Sequence, residues 1–121
     1  MNLLARPKGF TMIEILVAMV ILTISLLAVA GLMAKTTRNN SFGCYMTEAA
    51  TFAQDKLEEL RIAPWASIAN GNDMKTGSTG MNYARNWSVV ANATNLRTIT
   101  IAINWVDQSN RSIRFVSAVV Q

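Results

Sequence analysis

Histidine is absent from the 121 residues, so the side chain that most often serves as a general base near neutral pH is missing. The single cysteine, Cys44, excludes an intrachain disulfide. With no histidine and no second thiol, it also excludes a structural zinc site of the cysteine–histidine kind. Charged residues make up only 15%, where soluble domains carry about a quarter. No nucleophile stands beside a base and no paired carboxylates occupy a cleft-forming region, so the chain reads as a non-enzyme without cofactor or metal. The formal charge of +4 comes from 11 Lys plus Arg against 7 Asp plus Glu. Two of those cations, Arg6 and Lys8, precede a long apolar run, and no basic cluster interleaved with aromatics follows. Contact with nucleic acid is therefore not expected of this chain.

What is present falls into consecutive regions. Residues 1–9, MNLLARPKG, are short and basic, with Pro7 and Gly9 disfavouring regular structure. From Phe10 to Ala34 the only charge is Glu14, and Ile15 to Ala34 is a stretch of 20 uncharged residues, long enough to cross a bilayer as a helix. The cations before it predict a cytoplasmic N-terminus and an exported remainder. A cleaved secretory signal has a shorter apolar core, ends in small residues and carries no acid at its cytoplasmic end. An ordinary signal anchor accounts for the span but not for a carboxylate five residues into it.

After Lys35 the polarity rises without a proline. Phe42, Tyr45, Met46, Ala49, Phe52, Ala53, Leu57 and Leu60 recur three and four apart and define one helical face. Glu48, Gln54, Asp55, Glu58, Glu59 and Arg61 lie largely elsewhere. Pro64 ends the pattern at about Ala63. The prediction is one helix of roughly 50 residues, about 75–80 Å long, whose membranous first half is residues 10–34 and whose amphipathic continuation is residues 35–63. Residues 64–80, with Pro64, Gly71, Gly77 and Gly80, read as a connecting loop with room for a short helix. Beyond it Trp87, Val89 and Ala91, then Ile99, Ile101, Ile103 and Trp105, then Ile113, Phe115 and Val119 alternate with more polar neighbours, the period of strands. DQSN at 107–110 reads as a turn. The fold class is α+β, a long N-terminal helix packed on an antiparallel sheet of about three strands, the head being residues 64–121.

The junction Lys8-Gly9-Phe10-Thr11-Met12-Ile13-Glu14 resembles the type III signal of type IV prepilins and pseudopilins. The resemblance implies that a prepilin peptidase and N-methyltransferase removes the leader, residues 1–9, by cutting between Gly9 and Phe10 and methylates the Phe10 amine. Glu14 then becomes the fifth residue of the mature chain and pairs with the Phe10 amine of a neighbouring subunit. Physics gives that pairing a purpose. A carboxylate in hydrocarbon costs several kcal/mol on insertion scales, and a positive amine opposite it supplies a counter-charge and fixes axial register. Resting among headgroups at the helix N-terminus is the plainer role for Glu14. Ala18, Ala28, Ala30 and Gly31 allow helices to approach closely in a filament core.

The segment Ala49 to Arg61, with FAQDKLEELR, and the strands around YARNWSV and ITIAINWVD resemble minor pilins of the PilV class. Related segments occur in the minor pseudopilin I of type II secretion. Major pilins usually carry a proline in the membrane helix and a disulfide-closed C-terminal loop, and this sequence has neither, which favours a minor subunit. The resemblance implies a minor pilin that helps initiate or cap a type IV pilus. Its partners would be other minor and major pilins, the inner-membrane assembly platform and the lipid bilayer. It would be a single-pass protein of a bacterial inner membrane with a periplasmic head, carried into a surface filament. The rivals are a minor pseudopilin and an adhesive or substrate-binding tip module, for which residues 64–80 are the candidate loop. In the head, Lys56, Glu58, Glu59 and Arg61 are expected on a solvated face, Trp87 and Trp105 in the core, Arg85 and Arg97 at the sheet margin or against a neighbour, and Cys44 at a helix contact or lipid-proximal surface.

Overall fold

A computed structural model describes residues 9–121; the expected leader, apart from Gly9, lies outside the described residues. The chain divides between Asn39 and Asn40 into two compact units. Helix α1 runs from Met12 to Ile62, so its first part belongs to one unit and its last part to the other.

In the first unit the helix begins on Thr11. The Thr11 carbonyl accepts from the Ile15 N–H at 3.2 Å, and its hydroxyl accepts from the Glu14 N–H at 3.2 Å. Thr11 is thus an N-cap with an acid three residues on, which suits the positive end of the helix. Every residue from Gly9 to Asn40 is exposed. The polar side chains of the apolar stretch are absorbed by the helix itself: the Thr23 hydroxyl donates to the Met19 carbonyl at 2.7 Å and Ser25 to the Ile21 carbonyl at 2.8 Å. Hydroxyls satisfied in this way add little to the cost of entering hydrocarbon.

In the second unit α1 continues to Ile62, where the Ala63 N–H closes the last turn on the Glu59 carbonyl and Pro64 prevents another. A 3₁₀ turn, Trp65–Ser67, follows. Four strands then form a plain antiparallel meander in the order β1 Gly71–Thr76, β2 Asn82–Ala93, β3 Leu96–Asp107 and β4 Ser109–Val120. The sequence led us to expect about three strands; β1 lies inside what reads as a loop. GNDMKT has little apolar alternation, and it is a strand because β2 supplies its hydrogen-bonding partner, with Asp73 opposite Arg85. The β3–β4 turn is also tighter than DQSN suggests: Gln108 alone turns the chain, at φ 53°, and Ser109 and Asn110 already pair in β4.

The core forms where one face of β3 meets the helix. Ile99, Ile101, Ile103 and Trp105 are buried against Tyr83, Ala49, Ala53, Leu60 and Ile68. Ala49 and Ala53 on the facing side of α1 are buried in this core, and the larger Phe42, Tyr45, Met46, Phe52 and Leu57 flank them half-buried. Phe52 meets Tyr83 edge-on with ring centroids 5.3 Å apart, and Tyr83 tilts against Trp105 at 5.8 Å, geometries aromatic pairs prefer.

Candidate assembly site

The candidate site is the start of α1. Phe10, just before the helix, and Glu14, in its first turn, line one groove of about 430 Å³ with Ala18 and Leu22. The Thr11 cap decides this arrangement, because it starts the helix directly after Phe10 and places Glu14 in its first turn. Glu14 makes no ion pair among the described residues. A lone carboxylate beside a groove of apolar side chains is a place for a cation. Gly9 has open space around it. The threonine three residues before Glu14 has the spacing of a capping box, a signal present in the sequence itself.

From Ile15 to Ala34 the helix exposes an uncharged surface that is apolar apart from Thr23 and Ser25. It is the one helix among the described residues long and apolar enough to cross a membrane, which supports a single-pass topology.

Two of the head residues singled out from the sequence, Arg85 and Arg97, are internal anchors. Arg85, directly opposite Asp73 across the strands, is buried and grips its carboxylate with both arms, Nε to Oδ1 at 2.7 Å and Nη2 to Oδ2 at 2.5 Å. Its third donor, Nη1, reaches the Phe52 carbonyl of α1 at 2.8 Å. The guanidinium holds the Asp73 carboxyl below its usual range, chiefly through these hydrogen bonds and against the opposing effect of burial. Arg97 stacks on Trp65 at 4.4 Å and donates to the Trp65 and Ile68 carbonyls at 2.5 and 3.1 Å, fastening the 3₁₀ turn to β3.

Lys56 departs from the solvated face expected of it. It is 7% exposed, lies 4.0 Å from the centroid of the Trp87 ring and pairs with Glu59 at 2.6 Å. Its stem occupies the buried stripe between Ala53 and Leu60, and its ammonium lies over the face of the indole. Glu58, Glu59 and Arg61 are exposed as expected; Cys44, expected at a helix contact or lipid-proximal surface, is also exposed. Trp105 is buried, whereas Trp87 is half-buried and covers Gly71, where a Cβ would strike its ring.

Glu48 is the anchor that helical periodicity misses. Its carboxylate accepts from the Ser78 N–H at 2.7 Å, from the Ser78 hydroxyl and from the Tyr83 hydroxyl at 2.8 Å. These bonds tie the β1–β2 turn to α1. A Cβ at Gly77 would collide with the carboxylate, so this glycine is required by close approach. The Ser78 and Tyr83 hydrogen bonds hold Glu48 below its usual pKa, and burial with the Glu48 carboxylate alongside pushes the Tyr83 phenol well above its own.

The sequence matches the family described as Prokaryotic N-terminal methylation motif over residues 4–30, under a quarter of the chain. No curated protein and no solved structure matches it. The methylation motif, the long N-terminal helix and the small antiparallel sheet make a type-IV-pilin-like fold, consistent with the pilin and pseudopilin superfamily generally. The motif implies processing by a prepilin peptidase and methyltransferase.

Proposed function

We propose that the chain is a structural subunit rather than an enzyme, a minor pilin that helps initiate or cap a type IV pilus. A wholly exposed apolar helix surface whose only charge is a carboxylate in the first turn carries this reading. Such a surface needs two successive environments, lipid before assembly and neighbouring helices after it. Removal of residues 1–9 frees the Phe10 amine, and Glu14 of one subunit then meets the amine of the next. In a dry helical core each charge is costly alone, so subunits inserted out of register leave two charges unpaired and are rejected. Arg6 and Lys8 keep the leader cytoplasmic and the head periplasmic. The lack of a proline between Pro7 and Pro64 and of a second cysteine favours a minor over a bulk subunit.

Gly9→Leu tests the processing step by the intact mass of the membrane-extracted protein: the variant is expected to retain its leader, and its loss would refute the assigned cut. Glu14→Ala is expected to insert normally and to lose most crosslinking to neighbouring subunits; unchanged crosslinking would refute the pairing. Proteins co-purified with the mature subunit distinguish a pilus from a type II secretion complex, in which it would be a minor pseudopilin.

A further inference from the structure

The two hairpins of the head part at one end of the sheet. Strands β2 and β3 stay paired as far as Ala84 opposite Asn104. Beyond that point Asn82 and Tyr83 pair with β1, and Trp105 to Asp107 pair with β4, but neither segment pairs with the other. A groove of about 800 Å³ opens between them, with Met81, Asn82 and Ala84 on one side and Asn104, Trp105 and Arg111 on the other. That is the size of sites that take small ligands or short peptide segments.

Three features of this groove point to one kind of occupant. The β3 backbone at Trp105–Asp107 has lost its strand partner on the β2 side, and an unpaired strand edge is a template for an added strand. The Trp105 indole N–H, on the same residue, is buried without a hydrogen-bond partner among the described residues, although such donors are rarely left unpaired. Among the described residues Arg111 is the only charged side chain lining the groove; it makes no ion pair with any of them and stacks on Phe42 at 4.9 Å. Backbone edge, spare donors and a fixed cation together suit an extended chain that brings acceptors and a negative charge.

We propose that the groove between the hairpins binds an extended peptide segment of another protein, which adds to the free edge of β3 and places a carboxylate against Arg111. This role belongs to the head alone and goes beyond the filament reading, which rests on the helix.

The test uses the full chain in detergent micelles and a fluorescein-labelled peptide, Thr-Val-Thr-Val-Glu-Val, with anisotropy for binding and hydrogen exchange for location. Saturable binding is expected, with slowed exchange at Trp105–Asp107. Gln in place of Glu in the peptide, or Arg111→Gln in the protein, is expected to weaken it at least tenfold. Ala84→Trp, which fills the groove, is expected to abolish binding while the melting curve keeps its shape. If Arg111→Gln fails to fold, the Gln peptide against the native chain carries the charge test. Absence of saturable binding, protection located on β4's outer edge, or indifference to the peptide's charge would overturn the proposal.

Discussion

Replacing Asp73 with alanine would strip the counter-charge from a guanidinium whose side chain is only 3% exposed. Arg85 cannot shed its proton at any accessible pH, so the charge would stay, buried, with the Phe52 carbonyl as its one remaining hydrogen-bond acceptor among the described residues and the Trp87 ring 5.9 Å away. Removing one member of a buried ion pair costs about 3–5 kcal/mol. Because the Asp73 side chain is itself 33% exposed, water can reach part of the site and the lower end, about 3 kcal/mol, is expected. For a unit the size of Asn40–Gln121, that corresponds to a fall in melting temperature of roughly 12–24 °C. Tryptophan fluorescence during thermal unfolding of the full chain in micelles would read it. A second arm separates charge burial from packing: Asp73→Ala with Arg85→Met removes both charges and should recover most of the loss, since a buried pair replaced by apolar groups is often neutral. Glu58→Ala serves as the control. It breaks the Arg61 pair, whose side chains are 44% and 65% exposed, and should cost less than about 1 kcal/mol. A loss below about 1 kcal/mol for Asp73→Ala, or a double variant as unstable as the single one, would refute the reasoning. Acid should act on the same contact. The Asp73 carboxyl is depressed, so its contribution is complete above the ordinary aspartate range and fades as the pH falls through the lower folded value.

The Glu48 contact gives a matching pair of pH limits. The carboxyl is lowered by Ser78 and Tyr83, so its stabilisation is present above the ordinary glutamate range and lost at lower pH. The phenol is raised, so stability also falls once the pH exceeds the ordinary tyrosine range and the unfolded chain ionises. Glu48→Gln is expected to lower the melting temperature at pH 7 and flatten its acid limb, read by circular dichroism from pH 3 to 7; an unchanged acid limb would exclude Glu48 as its source. Gly77→Ala should displace the Glu48 carboxylate and cost about 1 kcal/mol, a cost expected to vanish in a Glu48→Ala background because the two changes share one contact; additive urea-unfolding losses would contradict this. Ile101→Ala, at a residue 1% exposed among Ile99, Ile103 and the helix, should cost about 2–5 kcal/mol by urea unfolding, and a loss below about 1 kcal/mol would show that the sheet face is not the core.

Much of the architecture was readable because it follows from short-range rules. The stop at Pro64 depends on one residue, the span on an uncharged run, and the β3 core face on the alternation of Ile99, Ile101, Ile103 and Trp105. The helix face from Phe42 to Leu60 was equally legible, since residues three and four apart share a side whatever they pack against. Strand β1 was not, because GNDMKT has no strong strand propensity and is held by its neighbour. Of the candidate site, Gly9, Phe10 and Glu14 were legible as a motif, and the Thr11 cap was present in the spacing but easily passed over.

The sequence by itself determined that an apolar helix precedes an amphipathic one, that a single carboxylate begins it, and that alternating strands supply the head with a core, since these are periodicities of local backbone geometry. Only the tertiary structure decided which charges are buried. Asp73 meets Arg85 because a strand register sets them opposite each other, Lys56 is covered because Trp87 happens to lie above it, and Glu48 holds a turn thirty residues away. Those contacts form between segments brought together by folding, and no local pattern encodes the distance that makes a charged side chain an anchor instead of part of a solvated face.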